Sequence, residues 1–372
     1  MNTPFRYDYV GSFLRPAALK QARADFQNGA IDAEALKAVE DEAIRDLVAK
    51  QKAAGYHVIT DGEFRRATWH LDFMWGFNGV GHSPTKTGLP FHGEAAMLDD
   101  TYLTGKVSLD SHPFVEHFKF VKALEEDGQV ARQTIPAPVQ TYSEVILDRC
   151  DGQIESLRSV YPTDEALIED IAAAYRTVIA DLYAAGCRSI QFDDCTWTRL
   201  CDASVRERLG WSDEDALRLQ QENLDVINAV IADQPDDLVI NTHVCRGNFH
   251  STWLSSGGYA PVAAKLFGEE NVDAYYLEFD DDRSGDFAPL AEVSGDKKVV
   301  LGLITSKKPD LEDPDTIKAR IQEAAQYIPL DRLCLSTQCG FASTQEGNKL
   351  TEDQQWAKIA LVQSIAKDVW GE

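Results

Sequence analysis

The stretch Ile240-Asn241-Thr242-His243-Val244-Cys245-Arg246-Gly247-Asn248-Phe249-His250 decides how the rest of the chain is read. It continues an apolar run, Leu238-Val239-Ile240, and then turns polar. That is the pattern of a buried parallel strand delivering side chains to a site at its C-terminal end. In an extended chain residues i and i+2 point the same way, so His243 and Cys245 offer a ring nitrogen and a sulfur to one centre. Zinc prefers such donors, at roughly 2.0–2.1 Å for nitrogen and about 2.3 Å for thiolate. Two later segments share the layout: Ala274-Tyr275-Tyr276-Leu277 ends on Glu278, and Leu333-Cys334-Leu335-Ser336-Thr337-Gln338 ends on Cys339. A histidine spaced two from a cysteine is weak evidence by itself, because cysteine often only packs. If the three strands are neighbours, His243, Cys245, Glu278 and Cys339 converge on one metal.

Composition narrows the class of partner. The chain has 372 residues, 36 Lys+Arg against 61 Asp+Glu, and a formal charge of -25. Nucleic acid and an anionic membrane surface would both repel it. Seven cysteines, at 150, 187, 195, 201, 245, 334 and 339, lack the dense spacing of a secreted disulfide framework. The N-terminal segment has no apolar signal core, and no apolar run approaches the ~18 residues of a membrane span. A cytoplasmic location is expected, where thiols stay reduced and available to metal.

Working outward, strands are expected near residues 9, 57, 133, 189, 239, 275, 300 and 333. The third is read as Ala131 to Val139. Most are separated by helices, at Asp32 to about Ala54, Ala166 to Ala185, Asp213 to Ala232, Pro261 to Phe267, Asp315 to Tyr327 and Glu352 to Val369. Leu36, Val39, Ala43, Ile44 and Leu47 form the stripe of the first, and Gly55 is placed to stop it. Residues from about 69 to 130 are irregular and rich in Gly, Pro and aromatics, an excursion inserted after the second strand. Eight such units predict an α/β protein, a (β/α)8 TIM barrel forming a single domain over residues 1–372. An open doubly wound sheet would normally carry an early glycine-rich phosphate turn, and none is found.

The strand ends suggest the chemistry. Structural zinc usually draws on closely spaced Cys pairs, whereas these ligands lie far apart on three strand ends, which favours catalysis. A thiolate-rich zinc suits a thiol substrate, lowering its pKa and keeping it nucleophilic. Glu63 and Asp193, with Asp194 beside it, follow strand ends and suit a cationic group. Ser12, after Gly11, offers a hydroxyl and an amide to a carboxylate. Together these describe an amino acid that carries a thiol. A zinc hydrolase would need a metal site rich in His and Asp with an open water position, and only His243 ends a predicted strand beside other ligands.

The segments Val10–Pro16, Asp61–Arg66, Ile190–Asp194, Thr242–Asn248, Leu277–Gly285 and Leu335–Thr344 resemble, in order, the C-terminal catalytic barrel of cobalamin-independent methionine synthase. That family moves a methyl group from a methyltetrahydropteroyl-polyglutamate to homocysteine on zinc. The resemblance makes His243, Cys245, Glu278 and Cys339 the zinc ligands and puts Ser12, Glu63 and Asp193 on the amino-acid end of homocysteine. Three departures accompany it. Only the catalytic half of the full-length family is matched. Thr305 stands where the family has a catalytic histidine after its seventh strand. No tryptophan follows Ala137-Pro138-Val139, and Tyr142 is the nearest ring to the family's pterin-stacking position. Arg15, Arg65 and Arg66, with Tyr142, are the candidates for the donor side, and Lys307-Lys308 could add to a basic patch. Relatives in the wider group, including epoxyalkane:coenzyme M transferases, use other thiols or alkyl donors. Coenzyme M has no amine, so Glu63 and Asp193 speak against it. A thiol binder without catalysis is the remaining alternative.

Overall fold

In the computed structural model residues 4–146 and 153–371 are described, so Cys150 falls outside them. Eight strands occupy the expected places: β1 (Tyr7–Asp8), β2 (Val58–Ile59), β3 (Gln133–Pro136), β4 (Ser189–Asp194), β5 (Val239–Val244), β6 (Ala274–Glu278), β7 (Lys298–Ile304) and β8 (Leu333–Thr337). Seven of them form one curled parallel sheet in the order β1-β8-β7-β6-β5-β4-β3. Neighbours in sequence are neighbours in space, and the order never reverses as a doubly wound sheet requires. β1 lies beside β8, so the first and last strands of the series are adjacent.

β2 pairs with Val130–Ala131, immediately ahead of β3. Between β1 and β2 the described residues form no ladder. The seam is held instead by Thr60 Oγ1 donating to Gly11 O at 2.9 Å, Phe13 N to Gly62 O at 3.1 Å, and the Tyr9 hydroxyl to Val58 O. The run expected as one strand from Ala131 to Val139 divides. β3 ends at Pro136, and a helix, Pro138–Ile146, begins two residues on. Proline suits a first helical position, where its missing N–H leaves no partner wanting.

Helices cover the outside. The first predicted one runs Ala33–Ala53, capped by the Asp32 side chain on Ala35 N at 2.9 Å and followed by Gly55 at φ 77°. Its Ile44 and Leu47 are buried, while Leu36, Val39 and Ala43 pack at the edge of the core. Helices at Asp164–Ala184, Asp213–Ile231, Ala263–Glu269, Pro314–Ala324 and Glu352–Trp370 match the remaining expectations within a few residues. Among the described residues no helix is long and apolar enough to cross a membrane.

The irregular segment is built around an antiparallel pair, Asn78–Ser83 with Asp100–Ser108, and a helix, Pro113–Lys122. Its tip returns over the strand ends. His92 N donates to Trp253 O at 2.9 Å, and Glu94 pairs with His250 at 2.9 Å and Lys349 at 2.8 Å.

Inside the curl the floor is polar. Arg132 and Asp8 pair at 2.5 Å with no exposure of either side chain, and Tyr276 OH accepts from Arg132 at 2.8 Å while donating to Asp8 at 2.6 Å. Removing one partner of such a buried pair costs about 3–5 kcal/mol, because the other charge is left uncompensated. Arg132 Nη1 also reaches Gln191 Oε1 at 3.3 Å, and Gln191 Nε2 in turn donates to Asp193 Oδ1 at 2.9 Å. The floor is thereby linked to the strand ends.

Candidate metal centre and substrate pocket

Register sets the first half of the site. β5 pairs with β6, with His243 opposite Tyr276 and Val244 opposite Leu277. Two strands further on, β8 ends just before Cys339. The ligand atoms of His243, Cys245, Glu278 and Cys339 consequently lie within 4.8 Å of one another, all buried. A tetrahedral zinc with ordinary bond lengths has ligand–ligand edges of ~3.3–3.8 Å, and the Cys245–Cys339 sulfurs are already 3.7 Å apart.

Each donor is aimed. His243 Nδ1 lies 3.1 Å from Tyr276 O, and a carbonyl can only accept, so Nδ1 carries the proton. Nε2 is left with its lone pair, buried beside Cys339 without a well-formed hydrogen bond. That is the tautomer and orientation of a metal-binding histidine. Glu278 is oriented by Arg246 N at 2.7 Å on Oε1 and by Gln338 Nε2 at 3.0 Å on Oε2. The orphaned nitrogen, paired sulfurs and fixed carboxylate fit zinc.

The second half of the site opens beside it. Ser12, Glu63, Asp193, His243, Cys245 and Cys339 line one cavity, about 720 Å³ counting its open mouth. Glu63 sits at φ 62°, a backbone conformation that costs a non-glycine residue about 1–2 kcal/mol. It is pinned there by its N–H on Asp61 Oδ1 at 2.8 Å and by Arg15 on its carbonyl at 2.8 Å. Its Oε1 accepts from Thr134 at 3.0 Å, and its Oε2 is buried without a partner. Burial raises the pKa of Glu63, with Arg66 and Arg15 pulling the other way. Burial and then the Glu63 charge raise that of Asp193. Two buried acids that repel each other in one pocket can take a cation between them. Ser12 abuts the turn after β8: a Cβ on Gly340 would come within 1.9 Å of Ser12 Oγ.

The other predicted residues lie elsewhere. Arg15 is buried and donates to the carbonyls of Phe13, Ala342, Glu63 and Arg66. Arg65 pairs with Glu40 and Asp41. Arg66 holds Thr134 and Trp69 O, 3.4 Å from Glu63. Tyr142 lines a neighbouring cavity. Thr305 is tied to Glu312 through its N–H, and Lys307 is buried on Asn248 Oδ1 at 2.6 Å. None of these lines the cavity beside the ligands. Asp194 faces away from it, accepting from Thr196.

Several lining residues escaped sequence reading. Trp69 packs against the thiols and stacks on His70 at 4.4 Å; Leu89, Phe91 and Leu98 come from the tip of the excursion. Arg199 is the one Lys or Arg among the lining residues. Cys195 is also there, and its signal was available: it follows Asp193 by two residues at a strand end, as Cys245 follows His243.

The sequence profile of the catalytic domain of cobalamin-independent synthase matches residues 133–361. The Bacillus subtilis (strain 168) proteins YxjH and YxjG are 43% and 42% identical over 368 and 369 residues, covering 99% of this chain and 95% of theirs. A 5-methyltetrahydropteroyltriglutamate–homocysteine methyltransferase of Cronobacter sakazakii is 26% identical over 346 residues, and this chain spans 39% of its length. A solved Listeria monocytogenes structure is 39% identical, with a TM-score of 0.79 and full coverage of both chains. At 21% identity and a TM-score of 0.72, a B12-independent methionine synthase of Shewanella sp. W3-18-1 shares the fold over 98% of this chain and 97% of its own. With the profile lying across the strands that carry the four candidate ligands, the chain belongs to the cobalamin-independent methionine synthase catalytic-domain family.

Proposed function

We propose that this protein transfers a methyl group to a thiol, with homocysteine as acceptor, a methyltetrahydrofolate-type compound as donor, and zinc held by His243, Cys245, Glu278 and Cys339. The observation that carries the reading is the meeting of this soft ligand set with an acid pair and a serine in one cavity. Bound there, zinc supplies a soft Lewis acid that keeps a thiol ionised at neutral pH. Glu63 and Asp193 receive the ammonium group, and Ser12 with the amides of the turn at Gly340 receives the carboxylate. Those two anchors hold the amino-acid end so that the thiol points at the ligands. Trp69, Phe91, Phe249 and Leu254 form an apolar wall that suits a flat donor and excludes water.

The same reading treats the chain as one (β/α)8 domain, closed between β1 and β2 by the seam bonds and carrying the 69–130 excursion as a cover. One cluster of buried apolar residues running from Tyr7 to Ala366 supports it. Six free cysteines among the described residues and a thiol substrate suit a reducing compartment such as the cytoplasm.

The test is to incubate zinc-loaded protein with homocysteine and mono- or triglutamyl methyltetrahydrofolate and to measure methionine. Methionine is expected, with Thr305 in place. If none forms, yet homocysteine perturbs the spectrum of cobalt-substituted protein, the donor assignment falls and the acceptor stands. If homocysteine leaves the metal untouched, both fall. Zinc analysis of a Cys339→Ser variant checks the ligand set, since equal zinc in both proteins removes Cys339 from it.

A further inference from the structure

The metal site contains one thiol more than its ligand set uses. β4 and β5 run parallel in register, with His243 opposite Asp193 and Val244 opposite Asp194. The next residues along are Cys245 and Cys195, and Cys245 N still donates to Asp194 O at 2.7 Å. Cys195 follows β4 directly, ahead of the helix Thr196–Cys201, and its side chain lines the same cavity as Asp193, His243 and Cys245. Cys195, Cys245 and Cys339 form one packed, buried cluster, and all three line the substrate cavity. Neighbouring strands are about 4.8 Å apart, inside the ~4.4–6.8 Å between Cα atoms that a disulfide spans. Cys195 lies outside the four-residue group of potential ligands, so metal binding does not occupy it.

We propose that Cys195 is the resolving thiol of a peroxide-responsive site, forming a reversible disulfide with Cys245 that dismantles the metal centre. The Cys245 thiolate attacks one peroxide oxygen and breaks the O–O bond, leaving a sulfenic acid and a hydroxide that solvent protonates. The Cys195 thiol then attacks that sulfur. The sulfenic oxygen departs as water with the Cys195 proton, and the Sγ–Sγ bond forms. Two electrons have left the two sulfurs, and one peroxide has become two waters. Cys245 is lost as a ligand, and the metal with it. A thiol reductant reverses the step, whereas a lone sulfenic acid would go on to sulfinic and sulfonic acids that reductant does not recover. Cys195 therefore both shuts the site and protects it.

The experiment treats the full chain with hydrogen peroxide, follows zinc release with a chromogenic chelator, and maps disulfide-linked peptides by mass spectrometry. In the wild type a peptide joining Cys195 to Cys245 is expected, with near-complete loss of zinc that is regained after reduction and re-addition of the metal. A Cys195→Ser variant should yield no such peptide, accumulate oxidised acids on Cys245, and regain little metal. Cys195→Ala serves if the serine variant folds poorly, and the wild-type map needs no variant. The map is repeated on chelator-stripped protein, so the linkage is tested apart from any assignment of metal or reaction. A linked peptide joining Cys245 to Cys339 instead, or full metal recovery by the Cys195 variants, would overturn the proposal.

Discussion

Glu63 and Asp193 are both buried, and both have raised pKa values because water is excluded from them. An ammonium group entering between them restores the ionised forms and removes their mutual repulsion. Removing one partner of a buried, hydrogen-bonded charge pair costs ~2–5 kcal/mol, so a loss of roughly 30-fold or more in affinity follows. Glu63→Gln and Asp193→Asn should each raise the KM for homocysteine by at least that factor while zinc content stays at the wild-type level. Steady-state kinetics alongside metal analysis checks this, and an unchanged KM would remove the acid pair from the acceptor site. The arginines beside them have a different task. Arg15 gathers four carbonyls around the strained Glu63 turn, and that work was invisible while it was only a positive charge in a motif.

At the scale of the element, β5 shows how alternation divides labour. His243 faces the site, and its neighbour Thr242 faces outward, donating to Glu270 Oε1 at 2.9 Å. Glu270 follows the helix Ala263–Glu269; its Oε2 has no partner, and burial, then the Asp194 charge, pushes its pKa up to about 8. A raised carboxylate keeps its proton in the fold after the unfolded chain has lost it. Its contribution to stability is therefore fully present below the unfolded value near 4.5 and is lost as pH rises through about 8. Glu270→Gln removes the titration and keeps the shape. Thermal unfolding should show the variant gaining several degrees over wild type at pH 8.5, with the gain disappearing near pH 5. A pH-independent difference would sink the assignment.

For the whole molecule, a metal on His243, Cys245, Glu278 and Cys339 would tie together elements far apart in sequence, since these grouped side chains sit at the ends of β5, β6 and β8. A metal that binds the native but not the unfolded chain stabilises by RT ln(1 + [L]/Kd), about 4 kcal/mol at a thousandfold excess over Kd. Chelation should lower the unfolding temperature by several degrees, and zinc should restore it more effectively than magnesium, which prefers oxygen ligands. Differential scanning fluorimetry with and without chelator checks this; an unmoved transition would count against a bound zinc. The charge of -25 bears on donor choice at the same scale. With Arg15, Arg65, Arg66 and Lys307 committed inside the fold, Arg199 remains as the cation lining the cavity, which limits the welcome for a polyanionic tail.

All eight strands were legible in the sequence by themselves, and so were His243, Cys245, Glu278 and Cys339 as donors at strand ends; their meeting within 4.8 Å rests on the adjacency of the strands. Strand alternation is a local property: a two-residue period puts a pair of side chains on one face whatever surrounds it. Helices such as Ala33–Ala53 were legible too, through an apolar stripe and a stopping Gly55. Where hydrophobic period gave no guidance, only the tertiary structure could decide. The run Ala131 to Val139 reads as one strand whose prolines mark an irregular end, whereas the fold stops the strand at Pro136 and starts a helix at Pro138. Trp69, Leu89, Phe91 and Leu98 reach the pocket through an excursion without a regular repeat, held by contacts such as that between His92 and Trp253, which are distant in sequence. Whether a given arginine faces a ligand or clamps carbonyls depends on which acceptors the fold brings within about 3 Å of it. Composition and spacing carry no record of that distance.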